Sequence, residues 1–122
     1  MNNLCFNVSV TPSLNKLKGF WACMNYKKKY LKELRGYDTC YKLENKVKAK
    51  VSITRNGKKL LDKDNLYGGC KPLIDAIKEL HLIVDDKTQW LDLQVEQTDK
   101  NKLPITNVVI EYEKYDKEGY YK

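Results

Sequence analysis

Four stretches of the chain alternate apolar and polar residues one for one, and this constrains the fold more than any other feature. Leu4, Phe6, Val8 and Val10 alternate with Cys5, Asn7 and Ser9. Val47, Ala49, Val51 and Ile53 alternate with Lys46, Lys48, Lys50 and Ser52. Leu91, Leu93 and Val95 alternate with Asp92, Gln94 and Glu96, and Val108, Ile110 and Tyr112 with Asn107, Val109 and Glu111. Successive side chains of a strand point to opposite faces, so each stretch reads as a strand with one buried side. Thr11-Pro12-Ser13 ends the first, because proline cannot supply a ladder donor. The last two, joined by a turn at Asp99–Lys102, read as an antiparallel hairpin.

A one-sided sheet needs a cover, and two segments supply helical spacing. From Phe20 to Arg35, residues Phe20, Cys23, Met24, Leu31 and Leu34 share one face, with Gly36 placed for a left-handed stop. Pro72 suits the first turn of a second helix, on which Leu73, Ala76, Ile77 and Leu80 recur at i, i+3, i+4 and i+7. Asn56-Gly57 marks a turn. Leu82-Ile83-Val84 is short, apolar and β-prone. The expected architecture is α+β: a single domain over residues 1–122, with a mixed or antiparallel sheet and two main helices. The polar tail, 113–122, is expected to fray.

Composition narrows the class. No apolar run approaches the roughly 18 residues that span a membrane, and the start lacks a secretory h-region, so a cytoplasmic protein is expected. The four cysteines, Cys5, Cys23, Cys40 and Cys70, are scattered, and His81 is the one histidine, which argues against structural zinc and for reduced thiols. The charge is uneven. From Lys16 to Lys63 there are 15 Lys/Arg against 4 Asp/Glu, and from Asp64 to Lys122 there are 8 against 12. A basic front attracts polyanions by counterion release, although lysines also serve simply as a solvated surface.

The stretch from Leu61 to Ile77 concentrates chemistry. Asp62 and Asp64 are two apart, so in an extended segment both carboxylates share a face and call for a cation between them. Turns also use aspartate freely. Gly68-Gly69 lets the backbone approach a ligand closely. Lys71 stands at a helix start, where anions are favoured. Asp85-Asp86 follows the second helix. Carboxylates for a hard cation, with a lysine and backbone donors for phosphate, are parts of a phosphodiester hydrolase.

On these residues the chain resembles the RusA family of Holliday junction resolvases, phage-type members included. The match runs through Asp62-Lys-Asp64-Asn65-Leu66, then Lys71-Pro-Leu-Ile-Asp75-Ala-Ile, then Ile83-Val-Asp85-Asp86, with Pro12-Ser-Leu-Asn15 similar to the family's entry loop. The gap from Asp64 to Lys71 is longer than in the shortest family form, and His81 stands where the family usually has glycine.

The resemblance implies a homodimeric, Mg2+-dependent endonuclease, with Mn2+ able to substitute, that resolves four-way DNA junctions by paired nicks in a bacterial or phage-infected cell. Asp62, Asp64 and Asp86 would hold the metal with Asp85 beside them, Lys71 would be the catalytic lysine, and Asp75 structural. No small-molecule cofactor is implied. Lys27, Lys28 and Lys29, with Lys46, Lys48 and Lys50 and Asn15 of the entry loop, form the expected DNA-contacting set. The same basic front also fits a DNA-binding protein that does not cut, or a nuclease for other branched DNA.

Overall fold

A computed structural model describes residues 3–36, 47–100 and 103–113. The expected Lys46 contact, Cys40, and the tail from 114 onward lie outside these residues. Four strands form one sheet: β1 (Asn3–Val8), β2 (Ala49–Asn56), β3 (Leu91–Thr98) and β4 (Ile105–Tyr112). Among the described residues three helices accompany them: α1 (Phe20–Glu33), α2 (Lys63–Gly69) and α3 (Lys71–Glu79). A 3-10 turn, Leu14–Leu17, precedes α1. The expected α+β class, a mixed sheet with two main helices, is what the chain adopts.

The strand order is β1-β4-β2-β3. β4 runs antiparallel to both β1 and β2, and β2 pairs with β3 in parallel. The expected β3–β4 hairpin is therefore wrong: β2 lies between them. The reason lies in β2, whose Ala49, Val51 and Ile53 are each 1% exposed. In register these residues face Leu91, Leu93 and Val95 on one side and Tyr112, Ile110 and Val108 on the other. A β3–β4 hairpin would leave this apolar strand with an open edge. Parallel pairing in turn needs a long crossover, and residues 57–90 supply it with α2 and α3.

α3 buries its expected face, with Leu73, Ala76 and Ile77 fully inside. α1 keeps most of its expected face, with Leu34 at its C-terminal boundary buried and Leu31 packed on the core, but adds Tyr30 and leaves its first residue out. Tyr30 and Leu34 are its buried residues, whereas Phe20 is 67% exposed. Tyr30 reaches inward to donate to the Val10 carbonyl at 3.3 Å, and burial and Glu33 push its phenol well above the ordinary range. The 82–84 segment is a buried bend, not a strand. There His81 takes φ +61°. Its N–H donates to Lys78 O, and the Leu82 N–H reaches back to Ile77 O at 3.1 Å. That pair of bonds is a Schellman ending, so His81 occupies the left-handed position that glycine fills more cheaply.

Cys5, Cys23 and Cys70 are free thiols, and burial pushes Cys70 up to about 11, which keeps it protonated.

Gly69 has a structural duty. A Cβ built there would overlap the Pro12 carbonyl oxygen, and one at Gly68 would press on the Leu14 side chain. α2 thus lies directly on the entry loop. Overpacking at such a contact costs about 1–3 kcal/mol. Gly69→Ala should lower the urea midpoint with an unchanged slope, by about 2 kcal/mol of stability. An unchanged midpoint would contradict the close contact.

Candidate functional site

The acidic stretch folds as a helix start instead of an extended run. Asp62 is the N-cap of α2: its Oδ1 accepts the Asn65 N–H at 2.9 Å, and its Oδ2 accepts the Asn65 side-chain amide at 3.1 Å. Aspartate is favoured there because it satisfies an orphan helix donor. Asp64 lies in the first helical turn, exposed, and bears no hydrogen bond or ion pair to another described residue. Asp62 is the cap and Asp64 is already helical, so the continuous extended run that would align the two carboxylates is not formed.

Two contacts fix where this helix begins. Gln97 of β3 donates to Leu61 O at 2.7 Å and accepts the Leu61 N–H at 2.8 Å. At the other end the glycine pair seats α2 on Pro12 and Leu14, so the close approach it permits is to the entry loop and not to a ligand. Gln97 carries no motif; its only trace in the sequence is a polar position near the end of an alternating strand.

The second acidic pair sits under a lysine. Lys78, in the last turn of α3, lies 3.0 Å from Asp85 and 3.7 Å from Asp86. Asp85 also accepts the Asp86 backbone N–H at 2.8 Å. The Lys78 ammonium, with that backbone donor, holds the Asp85 carboxyl down at about 2, and Asp85 raises Lys78 in return. A lysine near a helix C-terminus is favoured by the helix dipole, and this signal was open to sequence reading. The acidic pair is held nearby because the Tyr112 hydroxyl donates to Leu82 O at 2.7 Å, tying the bend to β4.

Lys71 and Asp86 line one groove of about 590 Å³, together with Lys48, Tyr67, Asp75 and Asp92. Lys71 is exposed and lies 3.9 Å from Asp75. Asp62 and Asp64 do not line this groove; they sit at the far end of α2. Among the described residues, no three His, Cys, Asp or Glu side chains form a group able to hold a metal ion. The set Asp62, Asp64, Asp85 and Asp86, as arranged, does not fit a single divalent cation.

The expected DNA-contacting residues also separate. Lys27 is spent on Glu79 at 2.9 Å, which binds α1 to α3. Lys28, Lys29 and Asn15 are exposed. In register Lys50 lies between Asp92 and Glu111, so carboxylates flank it on both neighbouring strands. Lys48 faces the groove.

No protein-family model and no curated protein matches the chain. Among the described residues no helix is long and apolar enough to cross a membrane.

The Lys78 contact has a pH signature. A carboxyl held below its unfolded value of about 3.9 adds stability above that pH and loses it as pH falls through about 2. Lys78→Met should bring the Asp85 titration, followed by carboxyl-carbon NMR, up toward the ordinary aspartate range. An Asp85 titration still near 2 in that variant would assign the shift to another cause.

Proposed function

We propose that this chain is a metal-dependent endodeoxyribonuclease acting on branched DNA, with the four-way junction as the substrate that its resemblance to the RusA resolvases indicates. The observation that carries the reading is the groove in which Lys71 and Asp86, fifteen residues apart in sequence, come together with Lys48. Two lysines and three carboxylates, Asp75, Asp86 and Asp92, line this exposed groove, and so charged a lining suits a phosphodiester with its cation better than a neutral substrate.

In this reading Lys71 offsets charge that grows on the phosphate, aided by the helix start on which it stands. Lys48 holds a flanking phosphate from the β2 side, which positions the strand without reading its sequence. The open helix surface at Lys28 and Lys29 takes further backbone phosphates. Mg2+, or Mn2+ in its place, is the proposed cofactor, with Asp62, Asp64 and Asp86 as ligands and Asp85 beside them. As they stand, these carboxylates hold Asn65 and Lys78 instead of a common ion. Cation binding in this account must therefore compete with the Asp62 cap and the Lys78 bridge. A homodimer working on two opposed strands, in a bacterial or phage-infected cytoplasm, completes the proposal.

Asp64 is the cleanest residue to test, because it is exposed and its loss removes no hydrogen bond that the fold uses. Asp64→Asn should retain binding to a labelled four-way junction and lose Mg2+-dependent cleavage by a factor of about 100 or more. Cleavage by the variant at the parental rate would remove Asp64 from the chemistry. A second reading, a basic protein that binds DNA without cutting it, draws on the basic front, 15 Lys/Arg against 4 Asp/Glu from Lys16 to Lys63. It requires that the parental chain bind and never nick.

A further inference from the structure

We infer that the N-terminal end of α1 is a stacking platform for an unpaired DNA base, continued along the helix by a phosphate track. This rests on the nucleic-acid reading above and specifies a surface that the groove does not include. Trp21 is 71% exposed and Phe20 67%, adjacent on the first turn of α1. The two rings meet edge to face, 5.6 Å between centroids and 76° between planes. That contact braces Trp21 and leaves it largely open to solvent. Trp21 lies on the side of α1 opposite to Tyr30 and Leu34, which the core takes, and Phe20, the first residue of the helix, is left exposed beside it.

The surroundings specify the partner's charge. From Ser9 to Lys32 the chain has six lysines and no Asp or Glu. Lys27 alone of these has a carboxylate partner among the described residues. Trp21, Asn25, Lys28 and Lys32 follow one another at i, i+4, i+7 and i+11, and all are exposed. At a rise of about 1.5 Å per residue they make a single stripe roughly 16 Å long, aromatic at one end and cationic at the other. An aromatic face takes any base by stacking, and lysines follow the phosphates; together they suit a single strand, where bases are free to splay. A duplex offers the lysines phosphates but keeps its bases stacked away from Trp21. A second copy of this chain is a poorer fit, because its own stripe carries the same positive charge.

The test compares fluorescein-labelled dT20 with an abasic 20-mer of the same backbone, by anisotropy in EDTA, for the parental chain and for Trp21→Ala. Stacking is worth about 1–3 kcal/mol per base, or roughly 5- to 150-fold in affinity. Trp21→Ala should weaken dT20 binding at least about fivefold and change abasic binding less than twofold, with Trp21→Phe recovering most of the loss. Lys28→Ala with Lys32→Ala should weaken both strands alike and reduce the salt dependence of binding. Equal effects of Trp21→Ala on the two strands, or none, would overturn the platform. So would unchanged DNA binding with loss of a concentration-dependent dimer in sedimentation, which would assign the patch to a second copy. Junction cleavage in Mg2+, measured on the same proteins, separates the two proposals. Cleavage without the base-dependent difference overturns the platform alone. The difference without cleavage supports the platform and overturns the nuclease. Failure to bind either strand overturns the platform whatever the cleavage result.

Discussion

The parallel pairing of β2 with β3 is the constraint on which the rest depends. β2 is apolar on its inner face and central, so both its edges must be filled. β4 fills one antiparallel, and β3 fills the other in parallel. A parallel neighbour cannot be reached by a tight turn, so the chain must cross the sheet between them. That crossover carries Asp62, Asp64, Lys71, Asp85 and Asp86, every residue to which the resemblance gives a metal-binding or catalytic role. The packing demand of one strand therefore gathers the candidate chemistry onto one connection.

Within the crossover, electrostatic satisfaction and site formation pull against each other. Asp62 finds its donors in Asn65, and Asp85 and Asp86 find a cation in Lys78. Each interaction is local and open to solvent, where water screens it. A divalent ion with several carboxylate oxygens could outcompete either. The frame beneath is firmer: the Gln97 amide clasp, the Gly69 contact with Pro12 and the Tyr112 hydroxyl all act on backbone groups and hold the segment ends in place. A shared ion would have to draw Asp62 and Asp64 together with Asp86 across the length of α2, which the arrangement as it stands does not do.

Much of this was legible in the residues. Period-two alternation marks all the strands, and the spacing of Leu73, Ala76 and Ile77 marks the α3 face, because burial on one side leaves a direct trace in the sequence. Strand partnership leaves none: β3 and β4 look like a hairpin until the exposed edge of β2 is weighed. On α1 the reading that placed Phe20 inside failed because Tyr30, with a hydroxyl that can reach the Val10 carbonyl, is equally able to be buried. The Asp62-x-Asp64 spacing suggested a shared face only while the segment was taken as extended; the Asn65 at the third position after Asp62 belonged to a cap. His81 was legible as an awkward residue at a glycine position, and its φ of +61° bears that out.

The central claim is that this charged crossover, behind a basic front, serves to cut branched DNA with a divalent ion. The most direct measurement incubates the parental chain with end-labelled four-way junction, flap, fork and linear duplex, with Mg2+ and without it, and maps the products on a denaturing gel. The account predicts paired nicks at symmetric positions in the four-way junction, present with Mg2+ and absent without it, and an intact linear duplex. Salt-sensitive binding to all four substrates with no nick in any of them would contradict it.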